Sequence, residues 1–189
     1  MQMTPSQTVG PFFSFGLTTE KCCVRKIAGP QAKGDRVVLI CRVLDGDGTG
    51  LPDAMVEIWQ ADAGGVYNHP DDPQQKNCDP ACAGFGRIGT NENGVCEFET
   101  VKPGRVRDLN GQEQAPHLNV AIFARGMLKQ LYTRIYFAGD PTNENDSVLA
   151  LVPSARQQTL MAQPDPAKPG HWNFDLHLQG DPETVFFDV

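Results

Sequence analysis

The alternation of apolar and polar positions along the chain predicts strands joined by turns. Val37–Leu44 (VVLICRVL) is dense in β-branched residues and predicts a strand. Ala54–Gln60 (AMVEIWQ) places Val56 and Ile58 on one face and Met55, Glu57 and Trp59 on the other. Val95–Val101 (VCEFETV) follows a turn at Asn91–Gly94, whose Asn-Gly pair is a hairpin signal. His117–Ala124 alternates cleanly, with Leu118, Val120 and Ile122 opposite His117, Asn119, Ala121 and Phe123. Leu131–Phe137 follows a turn at Gly126, Trp172–Leu178 presents Trp172, Phe174, Leu176 and Leu178 on one face, and Thr184–Phe187 reads as a closing strand. Ser154–Ala162 is the one helical stretch, with Ser154 as N-cap and Gln157 three residues later. Residues 21–35, 61–86 and 105–116 read as loops, the second of them long and rich in Gly, Pro and Asp. Residues 1–20, broken by Pro5, Gly10 and Pro11, read as an irregular N-terminal arm carrying Phe12 and Phe13. The pattern specifies an all-β protein: an antiparallel β-sandwich with long loops, an N-terminal arm and one short helix, in a single domain over 1–189.

Composition narrows the function classes. Fifteen Pro and nineteen Gly in 189 residues exclude a helical bundle. A net charge of -7 gives no general attraction to phosphate backbones. No apolar run approaches the roughly 20 residues that span a bilayer. The opening segment MQMTPSQTVGPFFSFG lacks the basic and continuous apolar regions of a secretory signal, so the chain reads as soluble and cytoplasmic. In that setting the six cysteines read as thiols. Cys78 and Cys82 have no second ligand pair at matching spacing, as zinc would require. Asp45–Gly50 resembles part of a calcium loop, but Val56 stands where its bidentate Glu belongs, and the segment reads as a turn. There is no HxH or HExxH pair, no GxSxG elbow and no phosphate-binding loop.

Specific motifs carry the reading further. TPSQTVGPFF (4–13), VEIWQADAGGVY (56–67), GFGRIGT (84–90), TVKPGRV (100–106), APHLNVAIFARG (115–126), YTRIYFAGD (132–140) and ETVFFDV (183–189) resemble the intradiol ring-cleaving dioxygenases, over nearly the whole chain. The resemblance implies a site that, in catalytic members, holds ferric iron with two Tyr and two His. The first Tyr position, counted without gaps from Gly64-Gly65-Val66-Tyr67 to Gly84-Phe85-Gly86-Arg87, is Gln74 here. The second, after the Lys-Pro-Gly turn, is Val106, and the HxH pair becomes His117 and Asn119. The family's guanidinium before the HxH strand becomes Gln114. Ferric iron is a hard ion matched to phenolate oxygens, and one imidazole with two neutral amides is a poor substitute.

The resemblance therefore implies a chain with no catalytic residue and no metal ligand set of its own, paired with a homologous iron-bearing beta subunit. The Fe3+ is expected in that partner, and the substrates of the complex would be O2 and a carboxylated catechol such as protocatechuate. Thr8, Gly10 and Pro11 in the arm match residues that wall the partner's active site, or else form a docking arm. Arg125 matches an arginine on the substrate-access side, or is a surface arginine at a hairpin turn. Arg134 replaces a neutral substrate-facing residue; it would fill a metal-free pocket with positive charge or make an inter-strand salt bridge. His117, without its partners, reads as a buried hydrogen-bonded histidine. Two other function classes stay open on sequence grounds: a self-sufficient dioxygenase with an unusual iron site, and a non-enzymatic β-sandwich binding or scaffold module.

Overall fold

The computed structural model describes residues 10, 12–108 and 111–188. The predicted strands form where the alternation places them: β1 (Arg36–Leu44), β2 (Met55–Trp59), β4 (Val95–Val101), β7 (His117–Phe123), β8 (Leu131–Phe137) and β10 (His171–His177). Four shorter strands join them: β3 (Phe85–Gly89), β5 (Val106–Arg107), β6 (Glu113–Gln114) and β9 (Met161–Pro164). Leu39, Cys41 and Val43 of β1, Val56 and Ile58 of β2, Leu118, Val120 and Ile122 of β7, and Phe174 and Leu176 of β10 are buried in one apolar cluster. That cluster draws on strands from both ends of the sheet, so the core lies between its two halves.

The class is all-β, but the expected antiparallel sandwich needs correction. Eight strands form a single mixed sheet in the order β3-β2-β7-β8-β9-β10-β1-β4. β1 runs parallel to β10, and β8 runs parallel to β9. The link is β9. Met161 and Ala162 pair with β8, while Gln163 and Pro164 pair with β10. One four-residue strand thus passes from one half to the other and joins layers that a sandwich keeps apart.

The same pairing shortens the expected helix. α2 covers only Ser154–Gln157, and a 3-10 turn over Gln158–Leu160 leads into β9. Backbone groups from Met161 onward are claimed by β8 and β10, so the helix cannot reach Ala162. The N-cap is Pro153, not Ser154, and no side chain of the described residues caps it. Thr184–Phe187 is not a strand either: Phe187 makes one isolated bridge to Tyr132. The arm is partly regular, because Phe12–Leu17 forms α1. Thr18 closes its end, donating from both its backbone N and its Oγ1 to the Ser14 carbonyl. β3 lay hidden in a segment broken by glycines. A Cβ at Gly86 would press into Ile27 and Phe98, so glycine here permits close packing rather than a turn.

Candidate functional site

The long loop after β2 owes its shape to two carboxylates. Buried Asp62 accepts from the Gly64 and Val66 amides at 2.8 and 3.0 Å, and from the Asp79 amide at 2.7 Å. Asp72 accepts from the Tyr67 and Gln74 amides at 2.8 and 2.7 Å. Gly65 has φ +81, and any Cβ there would strike the Arg105 carbonyl of the facing loop. These contacts place Gln74 and Val106 on one groove of about 630 Å³, with Trp59, Tyr67 and His69. Tyr67 stacks on Trp59 at 5.9 Å between ring centroids, and His69 meets the indole edge-on at 6.2 Å.

His117 and Asn119 stand two residues apart on β7, hence on one face of the strand. Asn119 Nδ2 donates to the Tyr67 hydroxyl at 3.1 Å, which ties the strand to the loop. His117 is buried and its Nδ1–H donates to the Ala115 carbonyl at 2.8 Å, so it is the hydrogen-bonded histidine expected. Its Nε2 is buried without a partner among the described residues. Burial, then the neighbouring Arg134 cation, push its pKa down to about 4, so the imidazole is neutral.

Arg134 makes no salt bridge with any described residue. Its Nη1 donates to Gln114 Oε1 at 3.1 Å and to the Tyr136 hydroxyl at 3.4 Å. Tyr136 in turn donates to Asp146 at 3.0 Å. Buried Asp146 also accepts from the amides of Ala115, Val148 and Leu149 at 2.7, 3.0 and 2.7 Å. Burial raises the Tyr136 phenol far above its ordinary pKa despite the adjacent guanidinium. Burial also raises the Tyr67 phenol, against the opposing bond from Asn119. Neither ring is a ready phenolate.

This donor set does not fit ferric iron. The aligned positions offer one imidazole, two amides and an isopropyl group. The Asn119 amide can offer only a neutral oxygen to a hard trivalent ion, and a guanidinium beside His117, held by Gln114 and Tyr136, would repel a cation. Among the described residues no cluster of three or more His, Cys, Asp or Glu could hold a metal ion. Sequence reasoning found His117, Asn119, Gln74, Val106 and Arg134 but missed Tyr67, Tyr136 and Asp146. Asp146 carries no motif, because the donors it gathers come from three separate segments.

The other expected site residues fall elsewhere. Arg125 sits in the β7–β8 turn, exposed, with its guanidinium 3.0 Å from Asp53. Gly10 is exposed, and a Cβ there would meet no described residue within 4 Å, so no close approach among the described residues requires glycine. Thr8 and Pro11 lie outside the described residues.

The dioxygenase family model Dioxygenase_C matches residues 8–180, and the chain belongs to this family. Within it, the protocatechuate 3,4-dioxygenase alpha chain of Burkholderia cepacia is 41% identical, over 100% of this chain and 98% of that one. The alpha chain of the same enzyme from Pseudomonas putida is 36% identical, over 98% and 96%. The Burkholderia cepacia beta chain is 33% identical, over 80% and 67%. Among solved structures, the dioxygenase domain of a carbohydrate-binding fusion from Streptomyces sp. SirexAA-E superposes with a TM-score of 0.65. At 23% identity, over 95% of this chain and 99% of that one, it bears on the fold alone.

Proposed function

We propose that this chain serves as the alpha subunit of a protocatechuate 3,4-dioxygenase, holds no iron itself, and completes an active site whose iron lies in a homologous beta subunit. One observation carries the reading: a relative at 41% end-to-end identity is named as such an alpha chain, while this chain's own ligand positions are Gln74, Val106, His117 and Asn119. The assembled enzyme would insert both atoms of O2 into protocatechuate. The bond between the two hydroxyl-bearing carbons breaks, each carbon becomes a carboxyl carbon, and the product is 3-carboxy-cis,cis-muconate. Bound in the partner, the ferric iron would supply the activation of the catechol toward O2.

This chain's part is positional. The whole of 1–189 acts as one domain, with residues 1–20 reaching the partner. Thr8, Gly10 and Pro11 in that segment would form part of the wall of the partner's site; a glycine with open space around it suits an approach by another molecule. Arg125 would attract the substrate carboxylate by its field. Its Asp53 contact is exposed at both ends and leaves the guanidinium accessible. Co-expression with a beta chain carrying the two Tyr and the HxH pair tests the reading. Ring cleavage with matched O2 uptake should require both chains; cleavage by this chain alone would overturn it.

A further inference from the structure

The other half of the sheet carries a groove of about 650 Å³ on its outward face, a size that suits a small molecule. Residues of β1, β4, β9 and β10 line it, together with α2, the 3-10 turn after α2 and the turn at Asp181–Pro182. It shares no lining residue with the groove at Gln74 and Val106. Apart from His177, its titratable side chains are two arginines and two aspartates. Arg42 and Asp175 satisfy each other through two parallel hydrogen bonds at 3.0 and 2.6 Å. Arg156 and Asp181 are different. Arg156 has no ion pair with any described residue; its Nη2 donates to the Glu183 carbonyl at 2.6 Å, and its Nε is buried with no partner among the described residues. A half-buried guanidinium is thus met by a single carbonyl, which leaves its charge largely uncompensated. Asp181 is exposed and has no ion pair with any described residue either. The two are neighbours all the same. The Glu183 amide closes a turn on the Gly180 carbonyl at 3.0 Å, Asp181 lies inside that turn, and its last residue holds Arg156. Opposite charges stand at one turn without pairing.

That arrangement defines a ligand class. A simple anion drawn to Arg156 would meet the repulsion of Asp181, and a simple cation drawn to Asp181 would meet that of Arg156. A ligand that gains from both side chains carries both charges close together. The groove also offers apolar surface from Ile40, Val95 and Phe174. We infer that this groove binds a free α-amino acid with an apolar side chain: its carboxylate takes Arg156, its ammonium group takes Asp181, and its side chain lies among Ile40, Val95 and Phe174. An α-amino acid bears both charges on one carbon, so it can bridge two side chains that stand at one turn. The inference goes beyond the proposed subunit role and does not rest on it, since it uses only residues of this chain outside the iron-ligand positions. No bond is made or broken; the site binds.

Leucine is the probe, followed by ligand-observed NMR and calorimetry with the full chain, alone and in complex with its beta partner. Two analogues are the controls: isocaproate, which lacks the ammonium group, and isoamylamine, which lacks the carboxylate. The full chain should bind one leucine, and each analogue should bind about tenfold or more weakly, the worth of one hydrogen bond to a charged group. Arg156→Gln should weaken leucine by a similar factor. Because Arg156 also holds the Glu183 carbonyl, Asp181→Asn provides a second variant at an exposed position. It should weaken leucine and tighten isocaproate at unchanged thermal stability, a crossing of preferences that a merely structural role would not produce. The same difference between wild type and Asp181→Asn should persist in the complex. Equal affinity for leucine and isocaproate, an Asp181→Asn variant without that crossing, or no saturable binding would each overturn the inference. So would binding that the complex abolishes, which would make the groove a seat for the partner and not for a ligand.

Discussion

Asp146 carries more of this site's architecture than its single negative charge suggests, and its removal is the sharpest structural prediction. The carboxylate lies in the interior at 1% exposure and receives four donors: the Tyr136 hydroxyl and the amides of Ala115, Val148 and Leu149. Of the residues that supply them, Tyr136, Ala115 and Leu149 are themselves buried, in a small apolar cluster with Val152 and Leu160. Asp146→Ala strands three buried donors, each costing about 1–3 kcal/mol when left unpaired. Partial water entry would lower the sum, so the expected loss is about 3–5 kcal/mol. Against a typical domain stability of about 5–15 kcal/mol, that brings the chain near its unfolding limit. Asp146→Asn keeps one acceptor oxygen and should lose roughly half as much. Urea unfolding followed by tryptophan fluorescence measures both, with the slope unchanged if the native state is otherwise intact. A loss under about 1 kcal/mol for Asp146→Ala would refute the idea that this carboxylate fixes the segment leading into β7.

Three further outcomes are expected. His117 is neutral in the fold with its pKa pushed down to about 4, against an unfolded value of about 6.5. Only the unfolded chain binds the proton in that window, so stability should fall as pH drops from about 6.5 toward 4, by up to roughly 3 kcal/mol. His117→Gln should flatten that part of a pH series of urea melts, and an unchanged slope would count against the assignment. Gly65→Ala should cost more than about 2 kcal/mol, since it combines a left-handed φ of +81 with a clash against the Arg105 carbonyl; a thermal shift under a few degrees would be incompatible with that contact. Arg125→Ala removes only an exposed ion pair and should change stability by under about 1 kcal/mol. In the assembled enzyme it should lower kcat/KM for a carboxylated catechol more than for catechol itself, and equal effects on both would remove it from substrate recognition.

The strands were legible where one side of the alternation meets the core. Leu118, Val120 and Ile122 are buried as the pattern requires, and so are Val56 and Ile58. The misses share a cause in long-range pairing. Met161–Pro164 carries no strand signature; it extends because two neighbouring strands claim its backbone. β3 reads as loop because Gly86 and Gly89 stand where side chains would reveal a period, and the space is filled instead by Ile27, Phe98 and Thr18. In the site, the ligand positions were readable by motif, and Arg134 could be placed on its strand. Its partners could not be. Gln114 and Tyr136 replace the expected salt bridge, and Asp146 lies beyond Tyr136 in a segment with no periodicity. Hydrogen bonds collected from separate loops leave no spacing to read.

In the proposed role this chain contributes walls and charge but no iron. Metal content and visible absorbance, measured on the full chain purified alone and again after co-expression with its beta partner, test it most directly. The lone chain should be colourless and iron-free, and the complex should carry about one ferric ion per pair, with the tyrosinate charge-transfer colour appearing only there. Stoichiometric iron in the lone chain, with that colour, would contradict it and would mean that Gln74, Val106, His117 and Asn119 are not the positions that decide metal binding.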